Sequence, residues 1–321
     1  MKIGIVANAL QDKPFAEALT YFKKIGIQTI EPGCGGYAGK AHVNPEELLA
    51  DAAKLSRFRQ QLADSGLTVS ALSCHGNPVH PNPDMAKQYD GDMRNAVRLC
   101  EKLGVDTITC FSGCAGDHAG ATHPNWVTCP WPEEYLQILE YQWNDVLIPY
   151  WTDFVAFAKP HGVTKIALEL HPGFMVYNSE TLKRLRDAVG PEIGVNFDPS
   201  HLIWQGMDPV AVLRELKDAI FHVHAKDLKI DAFNRSINGV LDTKHYSDEL
   251  NRSWIFRTLG YGNDAAYWKA IFSTLRMIRY DGAVSIEHED SLINRDEGLE
   301  KAVAMMKECP IVKSDTSMWW A

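Results

Sequence analysis

Eight short β-branched runs alternate with helical patterns from one end of the sequence to the other. The runs are KIGIVAN, IQTIEPG, LTVSALSCHG, VDTITCFSG, KIALELHPG, EIGVNFDPSH, IFHVHAKD and GAVSIEHED. Each is followed by a turn signal and, in most repeats, by an amphipathic pattern such as DMRNAVRLCEKLG. No Pro/Ser-rich linker separates two halves. The pattern predicts an α/β fold, a single (β/α)8 TIM barrel over residues 1–321, because a doubly wound sheet normally uses only about five to seven strands.

Two segments are longer than a minimal βα unit, at about residues 112–150 and about 228–264. We expect them to be extended βα loops at the C-terminal rim of the barrel, where long insertions form lids and substrate walls. The alternative is surface decoration or a subunit contact. The C-terminal tail, 313–321, contains Trp319 and Trp320, whose exposure to water would be costly. We therefore expect the tail to pack on its own barrel or on a neighbouring subunit.

Composition and charge exclude several classes of partner. The net charge is −9 and there is no basic run, which argues against binding to nucleic acid or to an acidic membrane surface. The first residues, MKIGIVANAL, become polar too soon for a signal peptide, and no apolar stretch approaches the roughly 18 residues of a membrane helix. We expect a cytoplasmic protein. Seven cysteines without CxxC spacing indicate neither a disulfide framework nor a zinc knuckle.

Polar residues interrupt the ends of the last four predicted strands, where a barrel displays its catalytic groups. These residues are Glu169, Asp198, His224 and Glu287. Three converging carboxylates repel one another, and a divalent metal resolves that conflict. Three oxygen ligands and one imidazole nitrogen suit Mn²⁺, Mg²⁺, Co²⁺ or Fe²⁺, with Zn²⁺ also compatible. We take Mn²⁺ as the first choice; the alternative is four independently satisfied polar groups without a metal.

The same strand ends carry a family resemblance. The chain resembles the xylose isomerase-like TIM barrels in four motifs taken together. They are a glutamate after strand five, FDPSH after strand six, HVHAKD after strand seven and the late glutamate of SIEHED. The similar branch is that of sugar phosphate isomerases and epimerases, which includes D-tagatose and D-psicose 3-epimerases, hydroxypyruvate isomerase and inosose dehydratase. The resemblance covers essentially the whole chain. It implies that Glu169, Asp198, His224 and Glu287 are the metal ligands and that His201 contacts substrate beside the metal.

The resemblance also implies a reaction. In the epimerases that this chain resembles, the two ligand glutamates exchange a proton with one carbon of the sugar, and the matching residues here are Glu169 and Glu287. The implied enzyme is a metal-dependent isomerase or epimerase that acts on a keto-sugar or related polyol through an enediolate. Its partners would be a small-molecule sugar and, from the resemblance and the Trp-rich tail, further copies of itself in a homo-oligomeric dimer or tetramer.

One departure concerns hydroxyl recognition. The ketose 3-epimerases carry an arginine several residues after the strand-seven histidine, whereas this chain has HAKDLKI, which places Lys226, Asp227 and Lys229 there. We assign Lys226 and Asp227 to substrate binding.

Three further residues are candidates for contact with the substrate. His75 ends strand three, His171 lies two positions beyond Glu169, and Glu31 precedes a glycine-rich turn after strand two. For His75 and His171, the alternative is a hydrogen-bonded residue of the rim.

A second class of reaction fits the same groups. A lyase or dehydratase would begin with the same deprotonation and then expel water or an aglycone from a keto-sugar or a 3-keto-glycoside, and the two insertions favour such a larger substrate. A phosphodiesterase similar to endonuclease IV would need additional histidine ligands and a basic surface. A sugar-binding protein without catalysis would not need this ligand set. The identity of the sugar stays open, although no glycine-rich phosphate cradle is present.

Overall fold

Parallel strands form one sheet that curls into a barrel. The computed structural model of the chain describes residues 1–311, 318 and 320. Its strands are β1 (Lys2–Val6), β2 (Thr29–Glu31), β3 (Thr68–Val69), β4 (Leu72–Ser73), β5 (Thr107–Cys110), β6 (Lys165–Glu169), β7 (Ile193–Phe197), β8 (Ile220–Ala225), β9 (Asp227–Ile230), β10 (Trp254–Arg257) and β11 (Ala283–Ile286). The barrel sheet has the order β3-β2-β1-β11-β8-β7-β6-β5-β4. Strands β9 and β10 pair separately as an antiparallel hairpin.

The two edges of this sheet are halves of one predicted strand. Only Ser70 and Ala71 separate β3 from β4, yet β3 pairs with β2 and β4 pairs with β5. A parallel bridge between Gly33 and Ser73 links the end of β2 to β4. The chain therefore changes pairing partners in the middle of the third strand, and the sheet meets itself there. The predicted (β/α)8 TIM barrel is confirmed.

Helices follow the strands and cover the outside of the barrel. They are α1 (Phe15–Ile25), α2 (Pro45–Ala50), α3 (Ala52–Ser65), α4 (Pro83–Leu103), α5 (Glu134–Tyr141), α6 (Ile148–Ala158), α7 (Ser179–Val189), α8 (Pro199–Trp204), α9 (Pro209–Leu216), α10 (Ala232–Asn238), α11 (Ala265–Met277) and α12 (Arg295–Glu308). Many begin at an Asn or Asp whose side chain accepts a backbone N–H of the first turn, as Asn178 does for α7. In most of these helices the apolar side packs toward the sheet, as in α7, where Leu182 and Leu185 are fully buried; α5 and α10 bury no apolar side chain.

The inside of the barrel is unusually polar toward its C-terminal end. Side chains that are almost completely buried there are Thr29, Glu31, Ser73, Thr109, Asn196, His222, His224 and Ser285. Strand pairing sets them at similar levels, because Glu169 lies opposite Asn196 and His224 lies opposite Ser285. Buried polar groups need partners, and the side chains of this layer below the rim have hydrogen-bond partners except for the hydroxyl groups of Thr29 and Ser285.

The two long segments differ in structure. In the first, α5 continues through a π-helical turn, Gln142–Leu147, into α6. The buried amide of Gln142 donates to the carbonyl oxygens of Ala115, Gly116 and Asn125, which fixes the preceding loop. The second segment contains the β9–β10 hairpin and α10. A small apolar cluster of Trp204, Leu228, Trp254 and Phe256 holds the hairpin against α8.

None of the helices in the described residues has the length and apolar character that crossing a membrane requires. The predicted packing of the C-terminal tail involves Trp319, and residues 312–317, 319 and 321 lie outside the residues that the structure describes. That expectation stays a prediction.

We expect Leu185→Ala to lower the free energy of unfolding by about 2–5 kcal/mol, because it leaves a cavity between α7 and the sheet. Leu250→Ala is the matched control, since Leu250 is 90% exposed and its truncation should change the free energy by less than about 0.5 kcal/mol. Urea unfolding followed by circular dichroism measures both. Equal losses for the two variants would contradict the assignment of α7 to the core.

Candidate active site

The four side chains predicted to bind a metal converge at the C-terminal end of the barrel. Glu169, Asp198, His224 and Glu287 each offer one ligand atom, and these atoms all lie within 4.8 Å of one another. The local sequence explains the convergence, since Glu169 ends β6, Asp198 follows β7, His224 lies in β8 and Glu287 follows β11. Parallel strands of a barrel end at one rim, so residues distant in sequence share one centre.

Asp198 has two functions in this arrangement. Its Oδ1 accepts the backbone N–H of Ser200 at 2.8 Å and so caps α8. Its Oδ2 is left facing the cluster, 3.2 Å from His201 Nε2. Burial raises the pKa of Asp198 to about 6. The helix cap therefore fixes which oxygen of Asp198 is available to a ligand.

Glu169 lies between two histidines. Its Oε2 is 3.1 Å from His75 Nε2, and its Oε1 is 3.0 Å from His201 Nε2. Ser73 Oγ lies 2.9 Å from the other ring nitrogen of His75 and orients that ring. Burial raises the pKa of Glu169, but the close contacts with His201 and His75 and the charge of these rings outweigh it and hold the pKa well below its usual range.

His224 is enclosed by carboxylates on both sides of its ring. Nε2 lies 2.9 Å from Glu31 Oε2, and Nδ1 lies 2.8 Å from Glu287 Oε2. Burial lowers the pKa of His224, but the negative charges of Glu31 and Glu287 outweigh it and raise the pKa well above its usual range. Beneath it, burial lowers the pKa of His222 to about 4, so that ring is neutral near pH 7.

Lys226 supplies positive charge to the same cluster. Its Nζ lies 2.7 Å from Glu289, 3.3 Å from Glu287 and 3.9 Å from Asp198, and it is 4.3 Å from the ring centroid of Phe256. Burial raises the pKa of Glu287, but Lys226 and His224 outweigh it and lower that pKa to about 2. The side chain of Lys226 is only 4% exposed, so a buried cation already compensates part of the carboxylate charge.

Several atoms at the centre nevertheless lack a hydrogen bond. They are Asp198 Oδ2, Glu287 Oε2, His75 Nε2 and both ring nitrogens of His201. Buried polar atoms are normally satisfied by hydrogen bonds, so these atoms are exceptions. Three carboxylates and an imidazole whose atoms face a common point are a donor set that fits a divalent cation. The residues present are therefore compatible with the predicted metal.

A cavity of about 440 Å³ opens above this centre. Its polar part is lined by Ser73, His75, Glu169, His171, His224, Lys226, Glu287 and Glu289, and its apolar part by Tyr37, Phe111, Tyr246, Ile255 and Phe256. Tyr246, Ile255 and Phe256 come from the second insertion, which here forms a wall of the cavity. Residues 112–150 contribute no lining residue among the described ones.

The predicted substrate-binding residues divide into two groups. His75, His171 and Lys226 line the cavity, and His201 lies against Glu169 and Asp198 with its ring centroid 4.0 Å from that of His171. Burial lowers the pKa of His171 to about 3, so this histidine is neutral near pH 7. His75, His171 and Lys226 are therefore positioned for contact with a ligand, whereas His201 is buried behind the lining and its contact with substrate stays a prediction.

Glu31 and Asp227 do not line the cavity. Glu31 is fully buried, and both of its oxygens are occupied by His224 and Thr109. Asp227 is also fully buried, and it accepts the backbone N–H groups of Gly260, Gly262 and Asn263. These hydrogen bonds give Asp227 a structural role, because it anchors the loop after β10, and its assignment to substrate binding stays a prediction.

Sequence reasoning did not identify the aromatic residues of the cavity or the polar layer beneath it. Phe111 follows β5 directly, and the rule that strand ends line a barrel site could have found it. Asn196 and His222 alternate with apolar residues within β7 and β8, a pattern that indicates inward-facing positions. Tyr37 lies in a short 3-10 helix, Gly36–Ala38, and Tyr246 lies in a turn, and the sequence gives no comparable signal for either position.

The chain is similar in sequence to known proteins along most of its length. The family model described as xylose isomerase-like TIM barrel matches residues 19–309. The uncharacterized protein YfiH of Bacillus subtilis is 41% identical over 310 residues, which cover 96% of this chain and 99% of that protein. The inosose dehydratase of Geobacillus thermodenitrificans is 27% identical over 43% of this chain and 45% of its own length.

Two solved structures show the same fold at low sequence identity. The 3-keto-D-glucoside 4-epimerase YcjR of E. coli superposes with a TM-score of 0.65 and 15% identity, covering 96% of this chain and all of that one. The IolI protein, whose structure holds a zinc atom, has a TM-score of 0.62 and 20% identity, covering 95% of this chain and 96% of that one. At these identities the similarity concerns the fold alone.

We expect Asp227→Ala to lower the free energy of unfolding by at least about 3 kcal/mol, because several buried N–H groups lose a charged acceptor. Asp187→Ala, at an exposed position of α7, is the control and should change it by less than about 0.5 kcal/mol. Urea unfolding measures both variants. If Asp227→Ala unfolds with the same free energy as the wild type, Asp227 does not anchor the loop after β10, and substrate contact is left as its predicted role.

Proposed function

This chain belongs to the xylose isomerase-like TIM-barrel family, and on that premise we propose that it is a divalent-metal-dependent isomerase or epimerase of a keto-sugar or related polyol. The observation that carries the proposal is the buried centre of three carboxylates and one histidine, with ligand atoms within 4.8 Å and with Asp198 Oδ2 and Glu287 Oε2 lacking hydrogen bonds. A binding protein would not need to bury so many like charges at one point.

Glu169, Asp198, His224 and Glu287 are the residues that would hold the metal, for which we propose Mn²⁺. When bound, a divalent cation would polarise a carbonyl and its neighbouring hydroxyl and so acidify the intervening C–H. The zinc atom in the IolI structure supports the proposal that a barrel of this fold holds a divalent ion. Measurement of the metal content would decide among Mn²⁺, Zn²⁺ and other divalent ions. Three oxygen ligands and one nitrogen favour the harder cations.

Glu169 and Glu287 are the proposed acid and base. In the barrel, β7 and β8 lie between β6 and β11, so the two carboxylates approach the centre from different sides. We propose that one carboxylate removes the proton beside the carbonyl and that the other, which has first taken a proton from solvent, returns it to the same carbon from the opposite side and so inverts it. The first carboxyl group then releases its proton to solvent, which restores the starting state. If the same carboxylate returns the proton to the adjacent carbon, the product is an isomer.

The residues around these carboxylates would orient the sugar. His75 and His171 present ring nitrogens to the cavity, and Lys226 presents an ammonium group between Glu287 and Glu289. All three have atoms that suit hydroxyl and carbonyl oxygens. Tyr246 and Phe256 would cover the bound sugar and exclude water, which strengthens the electrostatic interactions within the cavity.

The aromatic wall favours a second candidate function. Tyr37, Phe111, Tyr246 and Phe256 line one part of the cavity, and such a surface suits an apolar group attached to the sugar. The same proton abstraction could then expel that group, or water, as a lyase or dehydratase does. One relative is named an inosose dehydratase and one structural neighbour a 3-keto-D-glucoside 4-epimerase, which supports testing both substrate classes.

We expect the Mn²⁺-loaded protein to exchange a substrate C–H proton with solvent and to form an epimer or isomer. The test incubates it in D₂O with a panel of ketoses and 3-keto-glycosides and follows the products by NMR and mass spectrometry. A deuterated stereoisomer or isomer supports the first candidate. Release of water or an aglycone without any stereoisomer would replace it with the lyase, and Glu169→Gln is the inactive control for either reaction.

The metal assignment has a separate test. We expect Glu287→Gln and Asp198→Asn to lower the metal content of the purified protein at least about tenfold, because each loses a charged ligand. Glu289→Gln is the matched control, since Glu289 has the same side chain, lies two residues away and is half exposed. Its metal content should equal that of the wild type. Elemental analysis after dialysis with Mn²⁺ measures all three, and full metal content in the first two variants would refute the ligand set.

A further inference from the structure

We infer that Glu31 is a positioning residue that makes Nδ1 of His224 the metal-binding atom by holding the proton on Nε2. The inference rests on the proposed metal centre and extends it to a residue that touches neither metal nor substrate. Its basis is the position of the His224 ring between two carboxylates that contact different nitrogens.

The contacts on the two sides of the ring differ in kind. Nε2 of His224 makes hydrogen bonds to both oxygens of Glu31, at 2.9 and 3.1 Å. Nδ1 lies 2.8 Å from Glu287 Oε2 and 3.6 Å from Glu169 Oε2, yet Glu287 Oε2 has no hydrogen-bond partner. The amide nitrogen of Asn196 is 3.2 Å from both ring nitrogens, so it does not distinguish them.

The chemistry of the groups then selects the tautomer. A divalent ion binds the neutral form of an imidazole, which carries a single N–H, and an ionised carboxylate only accepts hydrogen bonds. Glu31 therefore holds the proton on Nε2 and leaves the lone pair of Nδ1 directed to the side on which Glu169, Asp198 and Glu287 lie. A carboxylate in this position also makes the imidazole more basic, as in the carboxylate–histidine pairs of other metal sites.

The residues around Glu31 hold its carboxylate in the position that contacts Nε2 of His224. Glu31 ends β2 and is fully buried, and Thr109 Oγ1 donates to its Oε1 at 2.5 Å. His222 Nδ1 lies 3.6 Å from its Oε2 and accompanies His224 on the same face of β8. Glu31 is absent from the lining of the cavity above, so a direct contact with substrate does not explain a buried carboxylate here.

The same three residues could instead be ligands themselves. Glu31, His222 and His224 also bring one donor atom each within 4.8 Å. However, the ring nitrogen that Glu31 contacts is already engaged by both carboxylate oxygens, and Thr109 occupies one of those oxygens. None of the donor atoms of Glu31, His222 and His224 lacks a hydrogen-bond partner, whereas Asp198, Glu287, His75 and His201 each have a donor atom that does. We therefore place one ion at the rim and none at Glu31.

The test measures Co²⁺ affinity by calorimetry in wild type, Glu31→Gln and Glu31→Leu. We expect the dissociation constant to rise about tenfold in Glu31→Gln, which keeps an acceptor but loses the charge, and about a hundredfold in Glu31→Leu, which loses both. Asp92→Asn is the control, because Asp92 is another buried carboxylate, paired with Lys40 away from the centre. Its Co²⁺ affinity should equal that of the wild type.

A spectroscopic measurement separates positioning from a general loss of stability. In the Co²⁺ form, the Nε2 proton of a ligated imidazole gives a strongly shifted NMR signal that disappears in D₂O. We expect this signal to exchange slowly in wild type, because the proton is buried and bound to Glu31, and to broaden or vanish in Glu31→Leu. Circular dichroism establishes that each variant is folded, and Glu31→Gln carries the test if Glu31→Leu does not fold.

The outcomes distinguish this inference from the proposed function. If wild type binds no divalent ion, both are refuted. If wild type binds one ion and Glu31→Gln binds it with the same affinity and the same N–H signal, only the positioning by Glu31 is refuted. Two ions per wild-type chain, one of which is lost in Glu31→Leu, would also refute it, because Glu31 would then be a ligand.

Discussion

The convergence of Glu169, Asp198 and Glu287 on one buried point is the constraint on which the rest of this structure depends. Like charges at such distances in a protein interior repel one another strongly, and burial adds to the cost of ionisation. Burial above all raises the pKa of Asp198 to about 6, and the negative charges of Glu169 and Glu287 add to this rise. A centre of this kind requires positive charge, and its unpartnered oxygens fit a divalent cation in addition to the lysine already present.

Elements far from one another in sequence support that charge compensation. Lys226 is held over Phe256 of the β9–β10 hairpin, and Asp227 ties the loop after β10 to the end of β8. The second insertion therefore positions the ammonium group of Lys226 and also forms a wall of the cavity. Glu31 and Asn196 contact His224 from the barrel interior, below the rim. The polar barrel interior and the rim form one connected network, and a change in either is transmitted to the centre.

Two polar residues that follow strand patterns illustrate why prediction from sequence was incomplete. From the sequence, Glu31 is a candidate for substrate contact because a glycine-rich turn follows it, and Asp227 is one because it lies where the ketose 3-epimerases carry an arginine. Glu31 ends β2 inside the barrel, where Thr109 and His224 surround it, and Asp227 begins a hairpin whose return strand lies some 30 residues later. Their partners are distant in sequence, so no local pattern reports how deeply a side chain lies or which way it turns.

The sequence by itself determined the barrel, its eight strand positions and the convergence of Glu169, Asp198, His224 and Glu287, because strand alternation and the turn after each strand are local properties. Only the tertiary structure decided the exchange of partners between β3 and β4, the aromatic wall with Tyr246, and the pairing of Glu31 with His224. These features depend on contacts between segments that only the closed barrel brings together, and such contacts leave no periodicity in the chain.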